Sequence, residues 1–280
     1  MLFRSLKALL ARLDRPFRLL VAEDNPTNQL VLRRMLAEFS LSLLMAGNGY
    51  EAIGGAQQFA PDMIFMDMRM PEMDGLEATR AIRALGGAFE RIPIVALTAN
   101  AFADDIRACR DAGMSDFLAK PVRKKTLAGA IARVVSSLTN QPAPATQATA
   151  AMPAPSCGEA ELIDAAGLAE LAEEIGDDGV EATLAVYFQE TDERLQRISQ
   201  LRRDSDRESL RVEAHTLKGA SSTFGFRLLQ ALAFKLEQSA PVIDARSHAA
   251  ISAELNLTFR RTCEELARHR KLKSCIPKAA

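Results

Sequence analysis

The chain has 280 residues, 48% of them hydrophobic and 25% charged, with a formal net charge of −1. This is the composition of a globular protein with room for one or two cores. It excludes a chain held mainly by charge on nucleic acid or on an anionic membrane. Four scattered cysteines, with no close pair and no histidine at zinc-ligand spacing, read as free thiols of a cytoplasmic protein.

Residues 1–17 begin "MLFRSLKALLARLDR". Phe3, Leu6, Leu10 and Leu13 recur at helical spacing and predict a short amphipathic helix. Arg4, Lys7 and Arg12 interrupt the apolar run, which makes a poor signal-peptide core and is too short to cross a bilayer. The segment shares the acid-poor, arginine-rich texture of a transit peptide or a surface-binding helix; a packing helix, or a linker from an upstream segment, is the preferred reading. No stretch approaches ~20 uninterrupted apolar residues, so no stable membrane span is expected.

Over residues 18–138, short apolar runs alternate with helix-period segments. "RLLVAED", "LSLLMA", "MIFMD", "IPIVALTA" and "DFLAKP" read as five buried strands. Helices are predicted at Asn28–Phe39, Tyr50–Phe59, Gly75–Leu85, Ala101–Ala112 and Lys124–Leu138. Strand followed by helix, five times, implies an α/β domain: a parallel, doubly wound sheet covered on both faces. Residues 139–160 carry no charge before Glu159 and hold prolines at 142, 144, 153 and 155. Such a Pro/Ala-rich stretch cannot bury a core and reads as a flexible linker. From 161 to 272 no strand-like run survives. Helices at Leu162–Ile175, Val180–Leu201, Asp206–Ser222, Phe226–Ser239 and Ala245–Lys271 predict an all-α antiparallel bundle, with 273–280 as a tail.

Three carboxylates stand at strand ends in the first domain: Glu23 and Asp24 after the first strand, Asp67 at the end of the third. Ligand sites of open parallel sheets form at the carboxyl ends of strands, so the fold brings these acids together. Crowded carboxylates repel and call for a cation, and an all-oxygen cluster suits Mg²⁺ better than zinc. Thr98 and Lys120 end the fourth and fifth strands; a hydroxyl and an ammonium beside three acids suggest that a phosphoryl oxygen is held there. Asp74, before Gly75, reads as a helix cap. Met66, Met68, Met70 and Met73 read as core and loop packing rather than as a metal site.

"VAEDNPTNQ", "MDMRMPEMDG", "ALTANA" and "GMSDFLAKP" together resemble the receiver domain of two-component response regulators. The resemblance covers about 18–138 and implies a flavodoxin-like fold. It also implies that Asp67 is the phosphate acceptor and that Glu23, Asp24, Asp67 and the backbone carbonyl of Arg69 hold Mg²⁺. Thr98 and Lys120 would contact the phosphoryl group. Phe117 takes the switch-aromatic position, where many members carry tyrosine.

In the second domain, the stretch "AHTLKGASSTFG" places one of only three histidines in a helix. On a wheel of ~100° per residue, Leu210, Ala214, Leu217, Ser221 and Phe224 form one seam facing the bundle core. His215, Lys218, Gly219 and Ser222 fall off that seam and are expected in an exposed stripe. Lys218 could steady an incoming phosphate, and Gly219 clears space for another protein's surface. "AHTLKGASSTFGFRLLQALAFKLEQSA" is similar to the histidine phosphotransfer (HPt) domain over about 162–270. The resemblance makes His215 the phosphorylated residue, Lys218 its electrostatic helper and Gly219 the clearance residue. His248 and His269 are expected to face solvent.

A receiver followed by an HPt domain resembles the C-terminal end of hybrid sensor histidine kinases. No glycine-rich ATP-binding segment or DNA-binding output domain is evident, so the expected function is phosphorelay between a phosphohistidine donor, Asp67 and His215, without a kinase core. Expected partners are a sensor histidine kinase and a further receiver or HPt protein, with no nucleic acid. A flexible linker of this length spans roughly 25 Å, which allows a receiver–HPt contact within one chain. A phosphate sink draining a pathway, and a non-catalytic adaptor binding a kinase or regulator, stay open as alternatives. A dinucleotide-binding fold is a weaker competitor, because the first strand–helix turn lacks a glycine-rich phosphate loop.

Overall fold

A computed structural model describes residues 2–99, 103–139, 162–201 and 204–268. The expected linker beyond Thr139, the tail 273–280 and His269 lie outside the described residues. The chain divides into two compact units, Met1–Met152 and Pro153–Ala280.

The first unit is a five-stranded parallel sheet in the order β2-β1-β3-β4-β5. Its strands are β1 (Phe17–Ala22), β2 (Leu41–Ala46), β3 (Met63–Asp67), β4 (Ile94–Thr98) and β5 (Asp116–Ala119). The described helices are α1 (Leu2–Leu10), α2 (Pro26–Leu36), α3 (Gly49–Phe59), α4 (Gly75–Ala84), α5 (Ala103–Asp111) and α6 (Lys124–Leu138). β3 and β4 are buried along their whole length, as expected for central strands covered by helices on both faces. The four methionines of the β3 segment pack in or against this core.

Helix starts follow local chemistry. Asn25, Asn48 and Asp74 each accept a hydrogen bond from the amide three residues on, capping α2, α3 and α4. Pro26 occupies the first turn of α2, where its missing N–H is no loss.

The amphipathic N-terminal segment is a packing helix: α1 lies on α6 with Leu6, Leu9 and Leu10 buried. α6 is buried around much of its circumference, at Leu127 and Ile131 and also at Ala128, Ala132 and Ser136. Lys7 and Lys124 both pair with Glu38, and Lys124 also lies over the Phe3 ring.

The second unit holds α7 (Ala165–Ile175), α8 (Asp177–Gln200), α9 (Arg207–Thr223), α10 (Arg227–Ser239) and α11 (Ala245–Arg268). Contacts run α8 to α9, α9 to α10, α10 to α11 and α11 back to α8, a closed ring of four helices with α7 against α8. Tyr187, Phe188, Phe224, Phe226 and Phe259 form an aromatic cluster inside it. The seam from Leu210 to Phe224 is buried as the wheel predicts. His248 departs from expectation. It is buried, with Nε2 3.0 Å from the Ile198 carbonyl, because α11 turns that face toward α8.

The tightest approach in the first unit is at Gly75. A Cβ there would stand 1.9 Å from the Asp67 carbonyl oxygen, whereas a Cβ on Gly54 meets nothing within 4 Å. Gly75→Ala is expected to cost at least about 1–3 kcal/mol, because the obstacle is backbone. Gly54→Ala, inside α3, should gain ~0.5–1 kcal/mol. Urea unfolding followed by circular dichroism checks both, and equal midpoints for the two variants would refute the expectation.

Candidate functional site

Strand register assembles the first site. Ala22 pairs with Met66, so one step further Glu23 stands beside Asp67 at the sheet's carboxyl edge. Asp67 pairs with Leu97 and Thr98 with Ala119, which brings Thr98 and Lys120 to the same edge. Carboxylate oxygens of Glu23, Asp24 and Asp67 lie within 4.8 Å of one another. Glu23 and Asp67 are buried, and Asp24 is partly exposed.

Lys120 joins the cluster. Its Nζ donates to Asp67 Oδ2 at 2.5 Å and to Glu23 Oε2 at 2.7 Å. Burial would lower the lysine pKa, but the charges and hydrogen bonds of Asp67 and Glu23 outweigh it and push the pKa up. Burial is also the main force raising the Asp67 carboxyl, to about 8; Lys120 opposes this, while Glu23 and Asp24 add to it. A buried carboxylate with two acidic neighbours and one ammonium is under-compensated. The donor set is entirely oxygen, and its atoms are close enough to converge on one small ion, so the residues fit a divalent cation such as Mg²⁺.

The remaining predicted residues fall around this centre. The Arg69 amide donates to Asp67 Oδ1 at 3.3 Å, and the Arg69 side chain is exposed. Thr98 is buried at the end of β4. Phe117, on β5, is half-buried and packs against the core cluster of the sheet. Asp74 caps α4, as the sequence suggests.

The second site differs from expectation in its exposure. His215 and Lys218 do lie off the core seam, but they face α10 rather than solvent. The His215 side chain is 15% exposed and that of Lys218 only 8%. Between them stands Glu237 of α10, which the sequence reading missed. Its Oε1 is 2.6 Å from His215 Nδ1, and its Oε2 accepts from Lys218 Nζ at 2.6 Å. Lys218 Nζ also sits 5.6 Å from the centre of the Phe234 ring. Lys218 is therefore already neutralised, and any charge it lends to a phosphate is shared with Glu237. Gly219, one turn after His215, is half-buried. A signal for Glu237 existed: Leu229, Ala233, Leu236 and Ala240 mark the buried face of α10, and Glu237 falls on its edge. An acid there needs a cation from the facing helix.

Burial acts to raise the Glu237 pKa, but the hydrogen bond and charge of His215, with the charge of Lys218, hold it down to about 2 from an ordinary 4.5. A folded value below the unfolded one stabilises the fold above the unfolded value and is lost as pH falls through the folded one. The Glu237 contribution is thus complete above pH 4.5, fades below it, and is gone near pH 2. Wild type should lose thermal stability more steeply than Glu237→Gln as the solution is acidified below about pH 4.5. Parallel melting curves across that window would contradict the assignment.

Comparison with known proteins matches each of the two units to a domain family. Residues 19–132 match the response regulator receiver domain family, and residues 182–269 match the Hpt domain family. The sensor protein GacS of Pseudomonas syringae pv. syringae is 33% identical over 234 residues, covering 80% of this chain and 25% of that protein. The sensory/regulatory protein RpfC of Xanthomonas campestris pv. campestris is 29% identical over 215 residues, covering 75% of this chain and 29% of that protein. The chain spans about a quarter of the length of these relatives. A solved receiver domain of a sensor histidine kinase from Pseudomonas aeruginosa, described with a magnesium ion in its active site cleft, is 39% identical. It covers 44% of this chain and 99% of its own, at a TM-score of 0.41. The chain is therefore a response regulator receiver domain followed by a histidine phosphotransfer domain.

Proposed function

We propose that this chain relays a phosphoryl group between a phosphohistidine donor, Asp67 and His215, with Mg²⁺ held by Glu23, Asp24, Asp67 and the Arg69 carbonyl. The observation that supports it most is the presence, in one chain, of a buried carboxylate bridged by Lys120 and a histidine braced by Glu237. Bound Mg²⁺ would supply positive charge to the phosphoryl oxygens and favour the ionised form of Asp67.

In the first step an Asp67 carboxylate oxygen bonds to phosphorus as the donor's P–N bond breaks; the bond pair returns to the donor nitrogen, and the imidazole, its other ring nitrogen still protonated, leaves neutral. Lys120, already at hydrogen-bond distance from Asp67, is placed to follow the new charge onto the phosphoryl oxygens, and Thr98 is assigned to the same oxygens. In the second step His215 attacks the acyl phosphate; the new P–N bond forms as the P–O bond to Asp67 breaks, returning the carboxylate. With Nδ1 engaged by Glu237, Nε2 is the nitrogen we assign as acceptor. Phosphorylation of Nε2 leaves the proton on Nδ1, where Glu237 balances the cationic ring. Glu237 is thus assigned as a positioning residue for His215, and Gly219 as clearance for the incoming receiver.

The partners assigned are a sensor histidine kinase and a further receiver or HPt protein, and the setting assigned is the cytoplasm. The chain itself acts as a relay rather than as a kinase, since the two matched families are a receiver and a phosphotransfer domain.

The test is phosphoryl loading of the full chain by a phosphorylated sensor kinase with Mg²⁺, for wild type, Asp67→Ala and His215→Gln. A base-labile label requiring Asp67, together with an acid-labile label lost in both variants, is expected. Acid-labile label surviving in Asp67→Ala would show that His215 is loaded by another receiver. No label with any of several kinases would defeat the relay and favour an adaptor. Glu237→Ala should slow formation of the acid-labile label by about 10–100-fold through loss of ring orientation, and an unchanged rate would remove Glu237 from the mechanism.

A further inference from the structure

The first turn of α2 reaches back to Glu23. Asn28 Nδ2 donates to Glu23 Oε1 at 2.8 Å, a bond between two buried side chains. Gln29 Nε2 donates to the Glu23 carbonyl at 2.6 Å. Asn25 Oδ1 accepts from the Asn28 amide at 2.9 Å and so fixes the turn that carries Asn28. The other Glu23 oxygen, Oε2, accepts from Lys120. Both oxygens of Glu23 are therefore engaged, one by an element that otherwise has no part in the site.

We propose that Asn28 is a positioning residue for the cation and phosphoryl site, acting through Glu23. This rests on the assignment of the acidic cluster as a Mg²⁺ site. A buried carboxylate can rotate about its last torsion and present either oxygen to a neighbour. A donor fixed on Oε1 removes that freedom and commits Oε2 to Lys120, so that the ammonium is held between Glu23 and Asp67. Partners that orient the ligands of a metal commonly change its affinity 10–100-fold when removed, without touching the ion. The feature explains why "EDNPTNQ" carries amides at 28 and 29. Capping of α2 needs only Asn25, and Asn28 has turned its side chain toward the acid instead.

Asn28→Asp is the decisive variant, because it keeps the size of the side chain and replaces the donor by an acceptor facing Glu23. Asn28→Ala removes the group altogether. Mg²⁺ titration of the full chain by calorimetry should show affinity reduced about 10–100-fold in both, with Asn28→Asp at least as weak as Asn28→Ala. Urea unfolding in chelator reports the purely structural cost, and the affinity ratio is read at urea-free conditions where each variant is folded. Wild-type affinity in Asn28→Asp, or tighter binding through a fourth carboxylate, would overturn the positioning role while leaving the Mg²⁺ site standing. Absence of Mg²⁺ binding to wild type, matched by Asp67→Asn, would instead overturn the cation assignment on which the proposal rests. If Asn28→Ala fails to fold, Asn28→Asp against wild type decides the question alone.

Discussion

Lys120 is the constraint around which the first unit is arranged. One ammonium bridges Glu23, just past the end of β1, and Asp67, the last residue of β3, which sequence separates by more than forty positions. Removing two carboxylates from water is costly unless each keeps a partner. The parallel sheet supplies that pairing cheaply, since strand register alone carries Glu23, Asp67 and the β5 end to one edge. The bridge leaves a net negative cluster once Asp24 is included.

The second unit meets a similar difficulty with the signs exchanged. There a single carboxylate, Glu237, stands between a buried lysine and an imidazole. Burial would raise its pKa, but His215 and Lys218 together hold it down to about 2, so the carboxylate serves as the counter-charge of both. The two sites complement one another in chemistry: a carboxylate centre held by a cation, and an imidazole held by an anion.

Much of this was legible in the sequence because it depends on short-range rules. Strand-end acids, Lys120 at the end of the fifth strand, the Asp74 cap and the Leu210–Phe224 seam follow from periodicity and from the topology it implies. What was missed depends on which helix faces which. His248 and Lys218 read as solvent-facing because each helix was considered alone. A single wheel shows the angle of a side chain but not the neighbour at that angle. Glu237 and Asn28 belong to the same class. Each is a polar residue whose partner lies on another element or back across a turn, and neither stands out until the two are placed together. Helix starts moved by up to three residues, chiefly where Asn25 and Asp164 took the cap and set the first turn.

The docking of α1 on α6 bears on how portable this receiver is. In a sheet of this kind the last helix ordinarily packs on the sheet alone; here α6 also packs against α1, and Ala128, Ala132 and Ser136 are buried along with Leu127 and Ile131. The unit that keeps its packing therefore starts ahead of β1. A graft into another signalling chain would have to carry residues 2–15 along, because a splice made at the first strand would strip α6 of the helix that packs on it and leave that surface in water.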